Sequence, residues 1–126
     1  KILINHLTGL TITGQPAEAD WTAAVKRSAA HPNVYCKVSG IFQRSGQRPS
    51  PKSLSYYAPI FQVVYDAFGE DRIIYGSNWP VTDRGGEYQE QLSIINEFFA
   101  PKGHKVLENL YWKNASKFYG VKLGKH

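Results

Sequence analysis

The sequence contains no methionine, only one cysteine, and no long apolar run. The single cysteine, Cys36, excludes an internal disulfide and a cysteine-rich zinc site. Because Cys36 lies in an apolar strand-like segment, we interpret it as a small core residue rather than a nucleophile. A membrane-spanning helix needs about 20 consecutive apolar residues, so the sequence predicts none.

The absence of methionine extends to position 1, and the chain opens directly on the strand-like segment 2–4. We therefore expect the sequence to be a piece of a larger fold. Nothing in it has the pattern of a signal peptide, and we expect a cytoplasmic location. Its 126 residues are enough for a hydrophobic core.

The charge is modestly basic, with 15 Lys and Arg against 10 Asp and Glu. The basic residues are scattered, whereas nucleic-acid binding usually needs a concentrated stripe or a recognisable module. We interpret the charge as a solvated surface and expect neither a nucleic-acid nor a membrane partner. A weaker alternative is a basic surface that docks an acidic protein.

Apolar periodicity predicts the element order β-α-β-α-β-α-α. Predicted strands cover 1–7, 34–41 and 73–79, and predicted helices cover 16–30, 54–68, 87–99 and 105–119. A long polar loop, 43–52, follows the second strand. The strand spacing suits successive units of a (β/α)8 barrel, which has about 31 residues per unit. Apolar strands alternating with helices predict the α/β class with a parallel sheet.

Three strands are too few to close a barrel, so an isolated chain would expose its sheet edges and its inner face. We therefore expect residues 1–126 to form a single partial domain, the last three βα units of a barrel. Either five earlier units belong to the same protein, or another chain supplies the missing wall. For the chain alone we expect self-association.

Reactive groups in such barrels lie at the carboxyl ends of the strands. Strand alternation places Ile2, Ile4 and His6 on one face of the first strand, and Ile74, Gly76 and Asn78 on one face of the third. We expect His6 and Asn78 to converge. On the second strand either Lys37 and Ser39 or Cys36 and Val38 face inward. We favour the first pair, because a charge facing the apolar helix layer would be costly.

Each candidate also has a structural interpretation. His6 can be satisfied by a backbone carbonyl, Lys37 can reach solvent, and Asn78 can fix the turn with its own side chain. Trp79 suits packing as well as substrate stacking. Asp83 lies in the following loop, where a solvated side chain is the default, although it is the only carboxylate near the strand end.

Five short motifs occur in a characteristic order: Asn5-His6-Leu7, the Pro32–Gly40 segment with Lys37-Val38-Ser39-Gly40, Phe68-Gly69 with Asp71-Arg72, Gly76-Ser77-Asn78-Trp79-Pro80, and Asn114-Ala115. Together they resemble the C-terminal part of the amidohydrolase-2 family, which includes lactonases and metal-dependent decarboxylases. The resemblance covers essentially the whole chain and implies that the three strands are the sixth to eighth of a (β/α)8 barrel.

The resemblance also implies site roles. His6 matches the histidine that contacts the substrate carbonyl or, in metal-dependent members, serves the metal. Position 78 matches an aspartate that activates water, but here it is Asn78, and an amide cannot accept that proton. Lys37 and Ser39 line the active site. The His-x-His pair of the first strand is absent, so we predict no tightly bound metal in this chain, although zinc is compatible with a full-length protein.

The leading hypothesis is a lactonase-like hydrolase acting on a small, anionic substrate. His6 would polarise the carbonyl, while Lys37 and Arg44 would attract the anion. Asp83 or His6 would replace the base that Asn78 cannot provide. The alternative is a non-catalytic half-barrel that binds a small acid or a partner protein.

Overall fold

A computed structural model describes residues 1–122 and Gly124. Its three strands are β1 (Ile2–Ile4), β2 (Val34–Ser39) and β3 (Ile73–Gly76). They form one parallel sheet in the order β1-β2-β3, so each of β1 and β3 has a single neighbour within the described chain. The α/β class with a parallel sheet is therefore confirmed.

Helices cover the sheet and connect its strands. They are α1 (Ala19–Ala29), α2 (Ile41–Arg44), α3 (Leu54–Phe68), α4 (Tyr88–Phe99), α5 (His104–Glu108) and α6 (Asn114–Tyr119). A π-helical segment, Asn109–Lys113, joins α5 to α6, and 3-10 turns occupy His6–Gly9, Val81–Arg84 and Ala100–Lys102. No helix in the described residues is long and apolar enough to span a membrane.

The predicted alternation of strands and helices is confirmed, but α2 was not predicted and several boundaries were wrong. The helix predicted over 105–119 is divided into α5, the π-helical segment and α6. β1 ends before His6 and β3 ends at Gly76, because His6 (φ 49°) and Asn78 (φ 54°) adopt left-handed backbone conformations that leave the strand direction. The predicted second strand stops at Ser39, since Gly40 also has a left-handed conformation and α2 begins directly after it. Strand-like composition alone did not reveal these turns.

The sheet register assigns each side chain to a face. Cys36 is level with Ile4 on β1 and with Ile73 on β3. Cys36 and Ile73 belong to the hydrophobic core beneath the helices, and Ile4 packs against that core. Lys37 and Ser39 therefore point to the opposite face, as favoured from the sequence. Ile4 shares the helix-facing side with Cys36, so the prediction that Ile4 shares a face with the site was wrong.

The core on the helix side is rich in aromatic residues. Tyr57 and Phe61 of α3 are fully buried and stack on each other, and Phe61 also packs against Phe99 of α4. Burying side chains of this size stabilises the fold by roughly 1.5–3 kcal/mol each. This packing fixes the orientation of the helices and thereby of the strand ends.

Asn114 ties the last helix to the sheet. It is buried, and its side-chain amide donates hydrogen bonds of 2.8 Å to the carbonyl oxygens of Glu70 and Ile73. These two carbonyls flank the entry into β3. The amide nitrogen of the Asn114-Ala115-Ser116 sequence is thus engaged in the fold, which explains why the sequence places asparagine there.

Several apolar side chains lie on the surface away from this core. Ile2 on the edge strand is 62% exposed, and Trp112, Tyr119 and Val121 at the C-terminal end of the described chain are about half exposed. The side chain of Lys1 donates a hydrogen bond to the carbonyl of Lys117, which brings the two ends of the chain together. Uncovered apolar surface therefore lies at the terminal elements, and a second exposed group, Trp79, Val81 and Tyr88, follows β3.

Candidate active site

The carboxyl ends of the strands meet around Gly40, which follows β2. A Cβ atom placed on Gly40 would lie 3.0 Å from Oε1 of Gln43, 3.3 Å from Nδ1 of His6 and 3.5 Å from Nδ2 of Asn78. Three polar atoms from three chain segments thus lie within 3.5 Å of one point. Glycine leaves that point empty, so His6 and Asn78 do converge, although the alternation argument for His6 was wrong.

His6 reaches this point through its own backbone conformation and through Ser39. Its backbone N–H donates to Oγ of Ser39 at 3.2 Å, and its ring Nδ1 lies 2.8 Å from the same oxygen. Ser39 is almost fully buried. The backbone bond holds His6 beside Ser39, and the ring contact orients the imidazole and leaves Nε2 available for other contacts.

The environment of His6 favours the neutral imidazole, because its pKa is lowered. Burial lowers the pKa of His6 first, and the positive charges of Lys37 and Arg44 lower it further. Arg44 is held nearby because its guanidinium donates a 3.2 Å hydrogen bond to the carbonyl of Gly9. Within residues 1–122 neither Lys37 nor Arg44 forms an ion pair, so the site carries uncompensated positive charge.

We expect the pKa of His6 to lie below 6.5 and to rise when Lys37 is replaced by methionine. The replacement removes a charge that disfavours the imidazolium while keeping the aliphatic stem. The measurement is an NMR titration of the imidazole resonances. The same change at Lys26, an exposed lysine of α1, is the control and should leave the titration unchanged. An unshifted His6 in the Lys37 variant would show that the two groups are not electrostatically coupled.

Asn78 has a left-handed backbone, which asparagine tolerates better than most residues. The turn is held by other groups, since the N–H of Thr82 donates to the carbonyl of Asn78 and the N–H of Trp79 donates to Oγ of Ser77. Within the described chain the amide of Asn78 makes no hydrogen bond. The interpretation of Asn78 as a turn former through its own side chain therefore has no support.

Sequence reasoning missed three polar residues around this turn. Thr82 and Gln91 are fully buried and both donate hydrogen bonds to the carbonyl of Ser77, at 2.5 Å and 3.0 Å. Gln43 lies 3.3 Å from the hydroxyl of Thr82. A signal for Gln91 was present, because it occupies a position of the apolar stripe of α4 that continues through Ile94 and Ile95.

The side chains of Trp79 and Asp83 make no described contact with His6, Gln43 or Asn78. Trp79 is half exposed and packs edge-to-face on Tyr88, with 6.0 Å between ring centroids. Asp83 is exposed on a 3-10 turn, and its carboxylate forms no hydrogen bond or ion pair with residues 1–122. Their proposed contacts with substrate stay predictions.

The residues present do not fit a zinc ion by themselves. Protein zinc sites use three or four nitrogen, sulfur or carboxylate ligands. In the described part of the chain no group of three or more His, Cys, Asp or Glu side chains is close enough to hold a metal. His6 is a single candidate ligand, and its neighbours Lys37 and Arg44 would repel a cation.

Comparison with known proteins identifies the family. A family model described as "Amidohydrolase" matches residues 1–121. An L-fucono-1,5-lactonase from Burkholderia ambifaria is 39% identical over 88 residues, which span 70% of this chain and 29% of that protein. An L-rhamnono-gamma-lactonase from Scheffersomyces stipitis is 31% identical over 137 residues, spanning 96% of this chain and 41% of the relative.

Solved structures agree with these relatives. An amidohydrolase from Burkholderia multivorans with bound zinc superposes with a TM-score of 0.76 and is 28% identical, covering 96% of this chain and 44% of that one. A second structure from the same species, with bound HEPES, has a TM-score of 0.83 at 23% identity and supports the fold alone. The chain spans less than half the length of each of these relatives. It belongs to the amidohydrolase family and corresponds to part of the length of its lactonase relatives.

Proposed function

We propose that this chain contributes part of the active site of a lactone hydrolase. The observation that carries the proposal is the convergence of His6, Gln43 and Asn78 around Gly40, at the carboxyl ends of parallel strands. Active sites of parallel α/β folds form at this edge. The relatives named for fuconolactone and rhamnonolactone hydrolysis support the reaction class.

In lactone hydrolysis a water oxygen attacks the ring carbonyl carbon, the ring C–O ester bond breaks, and a hydroxy acid forms. His6 is suited to bind the carbonyl oxygen. Oγ of Ser39 already accepts the backbone N–H of His6, so its own proton can go to Nδ1, which leaves the ring proton on Nε2. A neutral Nε2–H aimed at the carbonyl would stabilise the negative charge that develops on that oxygen.

Lys37 and Arg44 are proposed to favour a substrate with an anionic group, because both are positive and neither has an acidic partner in the described chain. Ser39 would act through His6, whereas Trp79 and Asp83 would lie further out along the same rim. A zinc-bound relative makes a divalent metal reasonable in a complete barrel, but every ligand beyond His6 would have to come from outside this chain.

A second candidate function is binding without catalysis, and Asn78 is the observation that favours it. The amide can hydrogen-bond a ligand but cannot accept a proton from water. In that account the positive charges of Lys37 and Arg44 would attract a small acid to this site. The two functions predict different results when a carboxylate is restored at position 78, as argued in the Discussion.

We further propose that residues 1–126 are the sixth to eighth βα units of a (β/α)8 barrel and work with a complement of five units. The two sheet edges and the exposed apolar groups Ile2, Trp112 and Tyr119 are surfaces that such a complement would cover. If the complement is a separate chain, the half-barrel is expected to bind it or to self-associate.

The hydrolase proposal is tested by assaying the intact protein with L-fucono-1,5-lactone, L-rhamnono-γ-lactone and a lactone that carries a carboxylate. We expect slow hydrolysis, measured by acid release in a weakly buffered indicator solution. The carboxylate-bearing compound should have the lowest KM, and its advantage should shrink with added salt. Binding of all three compounds without any acid release would favour the second candidate function.

The barrel proposal is tested by the mass of the intact protein from its source. We expect about twice the 14.2 kDa of this chain or more, since the complement contains more units than the chain itself. A mass near 14.2 kDa together with stable association to a second protein would place the complement on another chain. A dispersed monomer of that mass would overturn the proposal.

A further inference from the structure

The orientation of the residue-78 side chain depends on the peptide unit that joins Ser77 to Asn78. β3 ends at Gly76, and two residues later the backbone is left-handed with a φ of 54°. The Ser77 carbonyl belongs to the same rigid peptide plane as the Asn78 nitrogen. Rotation of that plane would move the side chain of residue 78 away from Gly40.

Two buried side chains donate hydrogen bonds to the Ser77 carbonyl. Oγ1 of Thr82 donates to it at 2.5 Å and Nε2 of Gln91 donates at 3.0 Å. They come from different elements, the 3-10 turn after β3 and the helix α4. The backbone N–H of Thr82 also donates to the carbonyl of Asn78 at 3.1 Å, so Thr82 holds both peptide units that flank position 78.

The burial of these polar groups carries an energetic cost. Thr82 is 0% exposed and Gln91 is 1% exposed, and Oε1 of Gln91 has no hydrogen-bond partner in the described chain. An unsatisfied buried oxygen destabilises a fold, so an apolar side chain would serve packing better. The contribution of Gln91 is therefore the hydrogen bond from Nε2 to the Ser77 carbonyl. The same Nε2 also donates a hydrogen bond to the hydroxyl of Tyr75 at 3.3 Å.

We propose that Thr82 and Gln91 are positioning residues that act through the Ser77 carbonyl and hold the side chain of residue 78 beside Gly40, where His6 also lies. The inference rests on the proposed function, because it concerns the alignment of an amide that can hydrogen-bond and orient the attacking water or the substrate. Gln43 of α2 lies beside this pair of contacts, with its Oε1 3.3 Å from the Thr82 hydroxyl and close to Gly40. The single hydroxyl proton of Thr82 goes to the Ser77 carbonyl, so the contacts of Thr82 and Gln91 join β3 to the following turn and to α4.

The first test replaces Thr82 by valine, which keeps the shape and removes the hydroxyl. In the intact protein kcat for lactone hydrolysis should fall about 10- to 100-fold with little change in KM, because misalignment by about 1 Å has effects of this size. Thr82→Ser should restore most of the loss. Ser50→Ala is the matched control, since it removes a buried hydroxyl that donates to a different carbonyl, that of Phe42, and kcat should not change.

A second readout does not depend on activity. Nδ2 of Asn78 lies 3.5 Å from the Cβ position of Gly40, so the Asn78 amide protons should give a nuclear Overhauser effect to the Gly40 α-protons. Thr82→Val and Gln91→Met should weaken or abolish it, whereas Thr82→Ser and Ser50→Ala should keep it.

The two readouts separate the failure of one proposal from failure of the other. If the intact protein hydrolyses no lactone, the proposed function fails and the Overhauser effect alone decides the positioning role. An unchanged effect in both Thr82→Val and Gln91→Met overturns that role. If Thr82→Val does not fold, Gln91→Met carries the same test from a different element.

Discussion

Replacing Asn78 by aspartate is expected to raise lactone hydrolysis by the intact protein about 10²–10⁴-fold. A carboxylate at this position can take a proton from the attacking water, and general-base catalysis contributes factors of this size. The side chain already lies beside the point around which His6 and Gln43 converge, so no rearrangement is needed. The measurement is kcat by acid release, compared for the native protein and the Asn78→Asp variant.

The pH profile provides an internal check on this result. The rate of the Asn78→Asp variant should rise with pH as the carboxyl group loses its proton, whereas the native amide has no such ionisation. A carboxylate near the imidazole also favours the imidazolium, so the pKa of His6 should rise relative to the native protein. Both changes come from the same new charge.

Asn78→Gln and Asp83→Asn are the control variants. Glutamine keeps an amide at the site and should not accelerate hydrolysis. Loss of native activity in Asp83→Asn would identify Asp83 as the base that replaces the missing carboxylate. If Asn78→Asp leaves kcat unchanged while the protein still binds lactones, the non-catalytic function is the better account.

Replacing Gly40 by alanine is expected to impair both stability and the site. Gly40 has φ 63° and ψ 29°, a left-handed conformation that costs an alanine about 1–2 kcal/mol. In addition, the new methyl group would lie only 3.0 Å from Gln43 and 3.3 Å from His6, so these side chains must move. We expect a lower free energy of unfolding and a loss of activity of about 100-fold.

Gly120 is a close match for the control. Its φ of 68° and ψ of 26° are nearly those of Gly40, but a Cβ atom there has no neighbour within 4 Å. Gly120→Ala should therefore lose a similar amount of stability from backbone strain and keep its activity. Stability is measured by denaturant titration and activity by acid release. Equal activity losses in both variants would refute the crowding argument.

The fold class followed from the sequence because its signals are periodic. Apolar strands alternating with amphipathic helices determine a parallel sheet covered by helices, and three such strands were recognised in the correct order. Helix α3 was predicted with its observed bounds, because its apolar residues repeat with helical spacing over 15 residues. Long periodic segments carry enough information to be located from one sequence.

The site was less predictable because it lies where periodicity stops. His6 was expected to reach the site by strand alternation, whereas a left-handed turn directs it there. Asn78, Lys37 and Ser39 were chosen from their positions at strand ends and from the family resemblance. The hydrogen bonds from Thr82 and Gln91 to the Ser77 carbonyl were missed, because contacts between a turn and a helix depend on tertiary packing and leave no periodic pattern in the sequence.

The buried thiol of Cys36 can report how often the helices separate from the sheet. Cys36 lies in the central strand, is completely buried, and has its pKa raised to about 12 by burial. Reagents that need a thiolate cannot react with it while β2 is covered on the helix side. Because residues 1–126 contain no second cysteine, a label on this chain records an opening of the central strand. The labelling rate therefore measures how often the sheet separates from its helices, without any engineered reporter.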